Sequence, residues 1–237
     1  MSAVNQFFKA LSVRLLRSPS LRTRAYKAVM YPDFVEWCHA NPCEGFHRPQ
    51  QPRADFYEAI KRKAALDGPI RYLEFGVFEG ASIRWWVEHN THASSTFVGF
   101  DSFEGLPEDW NQKMGQGHFS TKGAIPEIAD PRCSFEKGWF SATLRPFLDR
   151  AQLDKRDEDI TLVLHMDADL YSSSIYVMTT LAHLLRVGDV VIFDEFSDTI
   201  HEFRALVDFC AAFPITFEAI AHHDDYIRVA LRITSIS

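Results

Sequence analysis

Arg71-Tyr72-Leu73-Glu74-Phe75-Gly76-Val77-Phe78-Glu79-Gly80-Ala81-Ser82 decides how this chain is read. An apolar run, Ile70 to Phe75, meets two glycines four apart and passes into an amphipathic stretch beginning near Gly80. Strand, glycine turn and helix leave backbone N–H groups at the helix N-terminus free to hold an anion. Gly76 lets the chain turn sharply, and Gly80 lets a ligand or the strand approach the backbone. The spacing E-x-G-x-x-x-G is neither the dinucleotide fingerprint G-x-G-x-x-G nor a lysine-bearing P-loop. Glu74 adds a carboxylate suited to a cationic group. A ligand carrying both an ammonium and a carboxylate fits the pair, and S-adenosylmethionine has both. A glycine turn that binds nothing is the plainer alternative.

Outward from this stretch the chain alternates. Strands are predicted at 70–75, 96–101, 133–138, 160–166 and 190–193, with helices at 81–90, 142–151, 173–185 and 200–213. Alternation of this kind builds right-handed βαβ units and a mostly parallel sheet covered on both faces. At the end, runs 215–221 and 226–233 are joined by His222-His223-Asp224-Asp225. That link is too short for a parallel crossover, so the last two strands pair antiparallel. The expected fold is α/β: a Rossmann-like, seven-stranded, mostly parallel sheet with one antiparallel strand and helices on both faces, the plan of class I methyltransferases. Residues 1–55 read as an N-terminal helical or lid extension and 56–237 as the S-adenosylmethionine-dependent methyltransferase domain. Within the extension, 3–17 and 21–30 have helical spacing. Residues 31–55, with Pro32, Pro42, Pro49 and Pro52, read as a linker or lid with little regular structure. Asp55 to Ala65 looks like a helix leading into the first strand.

Ligands of open α/β sheets sit beyond the carboxyl ends of the strands. Those ends offer Glu74-Phe75-Gly76, Asp101-Ser102, Gly138-Trp139-Phe140, Asp167-Ala168-Asp169-Leu170-Tyr171 and Asp194-Glu195. Asp101, about 20 residues beyond the glycine turn, is placed to accept hydrogen bonds from a ribose diol; a helix cap or turn former is the alternative. Trp139 and Phe140 provide flat apolar surface for a purine, or belong to the core. Asp167, Asp169, Asp194 and Glu195 repel one another unless a cation, a proton or an arginine lies among them. A hard divalent ion is the economical explanation, with helix N-capping as the competing one for some of the four.

The segments L-E-F-G-V-F-E-G, G-F-D-S-F-E-G-L-P, K-G-W-F-S-A-T-L, H-M-D-A-D-L-Y-S-S and V-V-I-F-D-E-F resemble the macrocin O-methyltransferase family, from about Tyr72 to Glu195. The family methylates deoxysugars of macrolide antibiotics. The resemblance implies S-adenosylmethionine as cofactor and a magnesium site whose ligands fall on Asp167, Asp194 and Glu195, with a carboxylate or a nearby histidine as base. Asp167 and His118 are the expected catalytic pair; His165, inside an apolar strand, reads as structural. The expected cofactor contacts are Glu74, Phe75, Gly76, Glu79, Gly80, Ala81, Ser82, Asp101, Ser102, Gly138, Trp139, Phe140, Asp167, Asp169 and Tyr171. One departure is that glutamate stands at 195, where the family usually shows a second aspartate. The insert Glu108–Asp130 carries no family resemblance. The expected reaction is methylation of a hydroxyl on a small molecule such as a sugar or natural product, magnesium-assisted. The alternatives are an N-methyltransferase of the same fold, or a cofactor-binding scaffold with weak or no catalysis.

Composition bounds the partners. A 237-residue chain with net charge −7 is not expected to bind nucleic acid. No apolar run approaches the ~20 residues of a membrane span, and no secretory h-region opens the chain. Cys38, Cys43, Cys133 and Cys210 form no C-x-x-C pair, which suits reduced thiols and a cytoplasmic protein. Residues 1–30 hold six cationic side chains and no acidic one. Such a segment can lie on an anionic membrane, but packing on the domain or on a second subunit is the favoured reading, and a homo-oligomer is expected.

Overall fold

The computed structural model describes residues 18–110 and 113–237. The predicted helix 3–17 lies outside the described residues. In chain order the elements are α1 (Pro19–Ala40), β1 (Glu44–Phe46), α2 (Arg53–Lys63), β2 (Ile70–Phe75), α3 (Ala81–His89), β3 (Thr96–Asp101), β4 (Cys133–Lys137), α4 (Phe140–Ala151), β5 (Thr161–Met166), α5 (Tyr171–Leu181), β6 (Val190–Phe193), α6 (Glu202–Ala212), β7 (Ile215–His223) and β8 (Arg228–Ile236). One sheet runs β1-β7-β8-β6-β5-β2-β3-β4. All neighbours are parallel except β8, which runs antiparallel to both β6 and β7.

The sheet follows from period-2 patterning on buried strands. Leu73 and Phe75 of β2 join Leu162, Leu164 and Met166 of β5 in the core beneath α1, α4, α5 and α6. Ile70, Tyr72 and Val163 point to the opposite face, against Phe56, Ile60, Ile83 and Trp86 of α2 and α3. Burial of each such large side chain contributes about 1.5–3 kcal/mol.

Two expectations for the N-terminal region are corrected. Residues 21–30 are not a short helix before a linker: α1 continues through Pro32 to Ala40. Proline removes one helical hydrogen bond, but packing beyond it offsets the loss. Phe34 meets Phe203 edge-on at 5.3 Å, and Trp37 meets Phe196 at 4.9 Å. Residues 44–46 are a strand. β1 pairs with β7, Glu44 opposite Ala221, so the sheet has eight strands rather than seven. His222 and His223 belong to β7, and the turn to β8 falls at Asp224, Asp225 and Tyr226, all at positive φ.

Candidate active site

The turn after β2 is held from two sides. Gly76 sits at φ +94°, and a Cβ there would lie 1.8 Å from the Asp167 carbonyl oxygen. Only glycine accepts both the left-handed backbone and that approach. Gly80, at φ +76°, is the N-cap of α3, whose first amides have no side-chain cap. From β3, Asp101 accepts from the amides of Val77 at 2.8 Å and Phe78 at 2.9 Å through Oδ2, and from Phe103 at 2.7 Å through Oδ1. Asp101 therefore clamps the glycine turn as well as lining the cavity beside it.

Glu74 has a different place from that expected of a cofactor ligand. Its carboxylate is fully buried on the α2–α3 face, accepting from Tyr72 Oη and from Ser82 Oγ at 2.9 Å. His165 lies behind them: its Nδ1 is 2.6 Å from Tyr72 Oη and 3.5 Å from Glu74. Its Nε2 faces Asp194 at 3.8 Å. Burial opposes a charge on His165, but Asp194 and Glu74 outweigh it and raise its pKa.

The ends of β5 and β6 converge on the same side of the sheet. Asp194 is buried between Arg228 Nε, 2.9 Å away, and Arg53, 3.2 Å away. Burial disfavours its charge, yet His165, Arg53 and Arg228 hold its pKa well below the usual carboxylate range. Its neighbours behave oppositely. Burial, then Glu195 and Asp194, push Asp169 up to about 8. Burial, then Asp194, raise Glu195 to about 7. Burial, then Asp194 and Asp169, raise Asp167 well above the usual carboxylate range. Glu202, at the start of α6, accepts from the Glu195 amide at 2.9 Å through Oε2, while its buried Oε1 has no partner among the described residues.

A cavity of about 740 Å³ opens over these strand ends. Gly76, Asp101, Ser102, Trp139 and Phe140 line one part of it, and Asp167, Asp169, Asp194 and Glu195 another. Several expected contacts do not line it. Phe75 is a core residue stacked on Phe100, and Ser82 is turned to Glu74. Glu79 and Ala81 are exposed on the outside of the turn. Gly80 approaches Pro126, and Gly138 approaches Thr143. Tyr171 bonds Asp208 at 2.9 Å under the guanidinium of Arg204. His118 is exposed, its ring 4.4 Å from Phe119, and it also stays outside the cavity.

Sequence reasoning missed Arg53, Phe78, Phe119 and Tyr176, all of which line the cavity. Phe119 comes from the segment between β3 and β4. That segment is anchored by Ser172 Oγ donating to Glu108 at 2.6 Å and by Trp110 Nε1 donating to Asp198 at 3.2 Å. Asp198 also receives Lys27 of α1 at 2.9 Å.

With β8 inserted between β6 and β7 and the glycine turn after β2, the molecule has the class I methyltransferase fold. The family model for macrocin-O-methyltransferase (TylF) matches residues 51–228. The chain belongs to that family and is an S-adenosylmethionine-dependent O-methyltransferase. No curated protein matches it in sequence. Among solved structures, the O-methyltransferase NovP is 20% identical with TM-score 0.57, over 90% of this chain and 100% of that one. The calicheamicin methyltransferase CalS11 is 19% identical with TM-score 0.55, over 76% of this chain and 80% of that one. At such identity the likeness concerns the fold.

The family resemblance also implied a divalent ion. Among the described residues no three His, Cys, Asp or Glu side chains are arranged to hold one. Asp167, Asp194 and Glu195 do line one cavity, but the Asp194 oxygens face two guanidinium groups. The residues as arranged do not fit the expected three-carboxylate ligand set.

Proposed function

We propose that the chain transfers the sulfonium methyl group of S-adenosylmethionine to a hydroxyl of a sugar or other natural product, with Asp169 as general base. The observation that carries this reading is one cavity shared by the glycine turn and a buried carboxylate with no hydrogen-bond partner among the described residues. The turn side, Gly76 with Asp101, Trp139 and Phe140, supports the cofactor, with Asp101 toward the ribose and the aromatic rings toward the purine. Asp169 lines the other side, and with its pKa raised to about 8 its ionised form, which gains population as pH rises toward 8, is a competent proton acceptor. The acceptor oxygen attacks the methyl carbon in line with the departing sulfur. The carbon–sulfur bond breaks, S-adenosylhomocysteine leaves, and the hydroxyl proton passes to Asp169. Asp167 supports the same end of the cavity. Alignment of oxygen, carbon and sulfur supplies most of the acceleration such a displacement requires.

Magnesium assistance is a separate expectation, and no step here runs through a metal. For Asp194 to join a ligand set, Arg53 has to leave it. Calorimetric titration of S-adenosylmethionine into the protein, with magnesium and with chelator, tests both points. No binding in either condition refutes the methyltransferase reading; identical affinity in both, with identical methyl transfer in a parallel turnover assay, leaves the metal no part. The four cysteines are free, which supports a cytoplasmic setting. Among the described residues no helix is long and apolar enough to cross a membrane. Val29 and Tyr31 stand exposed on α1 and support a homo-oligomer that covers them, which light scattering measures.

A further inference from the structure

Two guanidinium groups meet at the end of β6, and one of them faces the cavity. The Asp194 side chain is 4% exposed, and each of its carboxylate oxygens has an arginine beside it. Oδ1 accepts from Arg228 Nε at 2.9 Å, and Oδ2 lies 3.2 Å from Arg53 Nη2. A divalent ion takes carboxylate oxygens as ligands, and both oxygens of Asp194 are engaged. A further cation placed beside two guanidinium groups is also repelled by them.

The two arginines differ in what they can reach. Arg228, the first residue of β8, is buried, with Nη1 3.3 Å from His223 Nδ1 and 3.8 Å from Asp224. It does not line the cavity. Arg53 does, and its side chain is 37% exposed. It is the first residue of α2, whose following turn is fixed by the fully buried Phe56 and Ile60. The side chain thus starts from a fixed backbone and is anchored at its far end on Asp194. Guanidinium carries five N–H donors and keeps its charge at every working pH. The contact with Asp194 uses the Nη2 end, so donors remain for an oxygen in the cavity. Among the described lining residues Arg53 is the one cation.

Given the O-methyl transfer proposed above, we propose that Arg53 is the cation of this site, standing where the family resemblance implied a divalent ion, and that methyl transfer in this chain is independent of metal. The hydroxyl oxygen forms its bond to the methyl carbon as the carbon–sulfur bond breaks, and its proton passes to the ionised Asp169. The Arg53 guanidinium gains and loses no proton; it offers N–H donors and positive charge to that oxygen. Asp194 is then a positioning residue for Arg53 rather than a metal ligand.

Manganese(II), followed by its electron paramagnetic resonance signal on the full chain saturated with S-adenosylhomocysteine, tests this. The neutral variants Arg53→Ala and Arg53→Gln should bind the ion at least roughly ten-fold more tightly than the wild type, because a repelling charge has gone and one Asp194 oxygen is free. Arg53→Lys keeps the charge and should bind as weakly as the wild type. Manganese should raise the thermal midpoint of the neutral variants and leave that of the wild type unmoved. Two neutral variants guard against a folding defect in one, and Arg228 remains to pair Asp194 in both. Wild-type binding as tight as theirs, no gain in either of them, an equal gain in Arg53→Lys, or loss of wild-type methyl transfer on adding chelator overturns Arg53 as the cation and leaves the O-methyl transfer standing. Failure of S-adenosylhomocysteine to bind overturns the methyltransferase reading beneath it.

Discussion

Replacing Gly76 with alanine isolates the contact that joins the two halves of the site. The new Cβ would lie 1.8 Å from the Asp167 carbonyl oxygen, so β2's turn or β5's end has to move. The left-handed backbone at φ +94° costs an alanine about 1–2 kcal/mol. Relieving an overlap in a packed interior adds about 1–3 kcal/mol. Hence Gly76→Ala should lose about 2–5 kcal/mol, or roughly 1–2 M in urea midpoint at the usual slope. Gly188 provides the control, since it shares φ +94° but a Cβ added there would meet nothing within 4 Å. Gly188→Ala should show the backbone cost alone, and the difference between the two variants measures the overlap. Moving Asp167 also disturbs the hydrogen bond its backbone N–H donates to the Phe75 carbonyl oxygen at 2.9 Å, so Gly76→Ala should lose S-adenosylhomocysteine affinity as well. Equal midpoints for the two variants, with unchanged affinity by calorimetry, would refute the reasoning.

Asp101→Ala should weaken S-adenosylmethionine ten-fold or more, because it removes a ribose acceptor and frees three amides of the turn and its neighbour; an unchanged dissociation constant removes Asp101 from the site. Asp189→Ala should cost about 3–5 kcal/mol in urea unfolding, because it strands the buried Arg156 guanidinium and frees the amides of Leu162 and Arg186. Asp169 and Glu195 should lower stability as pH rises from about 5 to 8, opposed by His201, His222 and His223, whose pKa values burial lowers. Asp169 and Glu195 keep their protons up to about 8 and about 7 in the folded chain, whereas the unfolded chain releases them near pH 4. The folded state therefore binds more protons across that window, and deprotonation weakens it. Asp169→Asn should remove its share of the decline, and a variant whose thermal midpoint follows pH as the wild type's does contradicts the assignment. The lowered pKa of Asp194 acts only below about pH 4 and leaves the window untouched.

The glycine turn and the strand ends were legible because each is a local constraint. Two glycines four apart admit few backbones, and period-2 burial places Asp101, Asp167, Asp169, Asp194 and Glu195 at the carboxyl ends of strands that must lie together. What stayed hidden depends on distant parts of the chain. Glu74 looked open to a ligand because its partners Tyr72, Ser82 and His165 come from β2, α3 and β5 and meet only after folding. Pro32 masked α1, whose stability comes from Phe196 and Phe203 far along the chain. β1 is three residues long, too short to show a period. Arg53 gives no local sign that it will meet Asp194. Phe119 stands beside the histidine that drew attention, and the ring rather than the imidazole reaches the cavity. Glu202 had one signal, an acid beside the apolar residues Phe203, Ala205, Leu206 and Phe209 of the same helix.

β1 on the edge of β7 orders events during synthesis. Arg48, just beyond β1, bonds to Asp224, 176 residues later, through its amide at 2.9 Å. At about 5–20 residues per second, the ribosome delivers that partner roughly 10–35 s after β1 emerges. For that interval Glu44–Phe46 has no strand to join, and Phe34 of α1 has neither Phe196 nor Phe203 to cover it. α1 and β1 are thus made well before the partners that place them, and a nascent chain stalled before residue 196 leaves Phe34 and Trp37 without the rings that cover them.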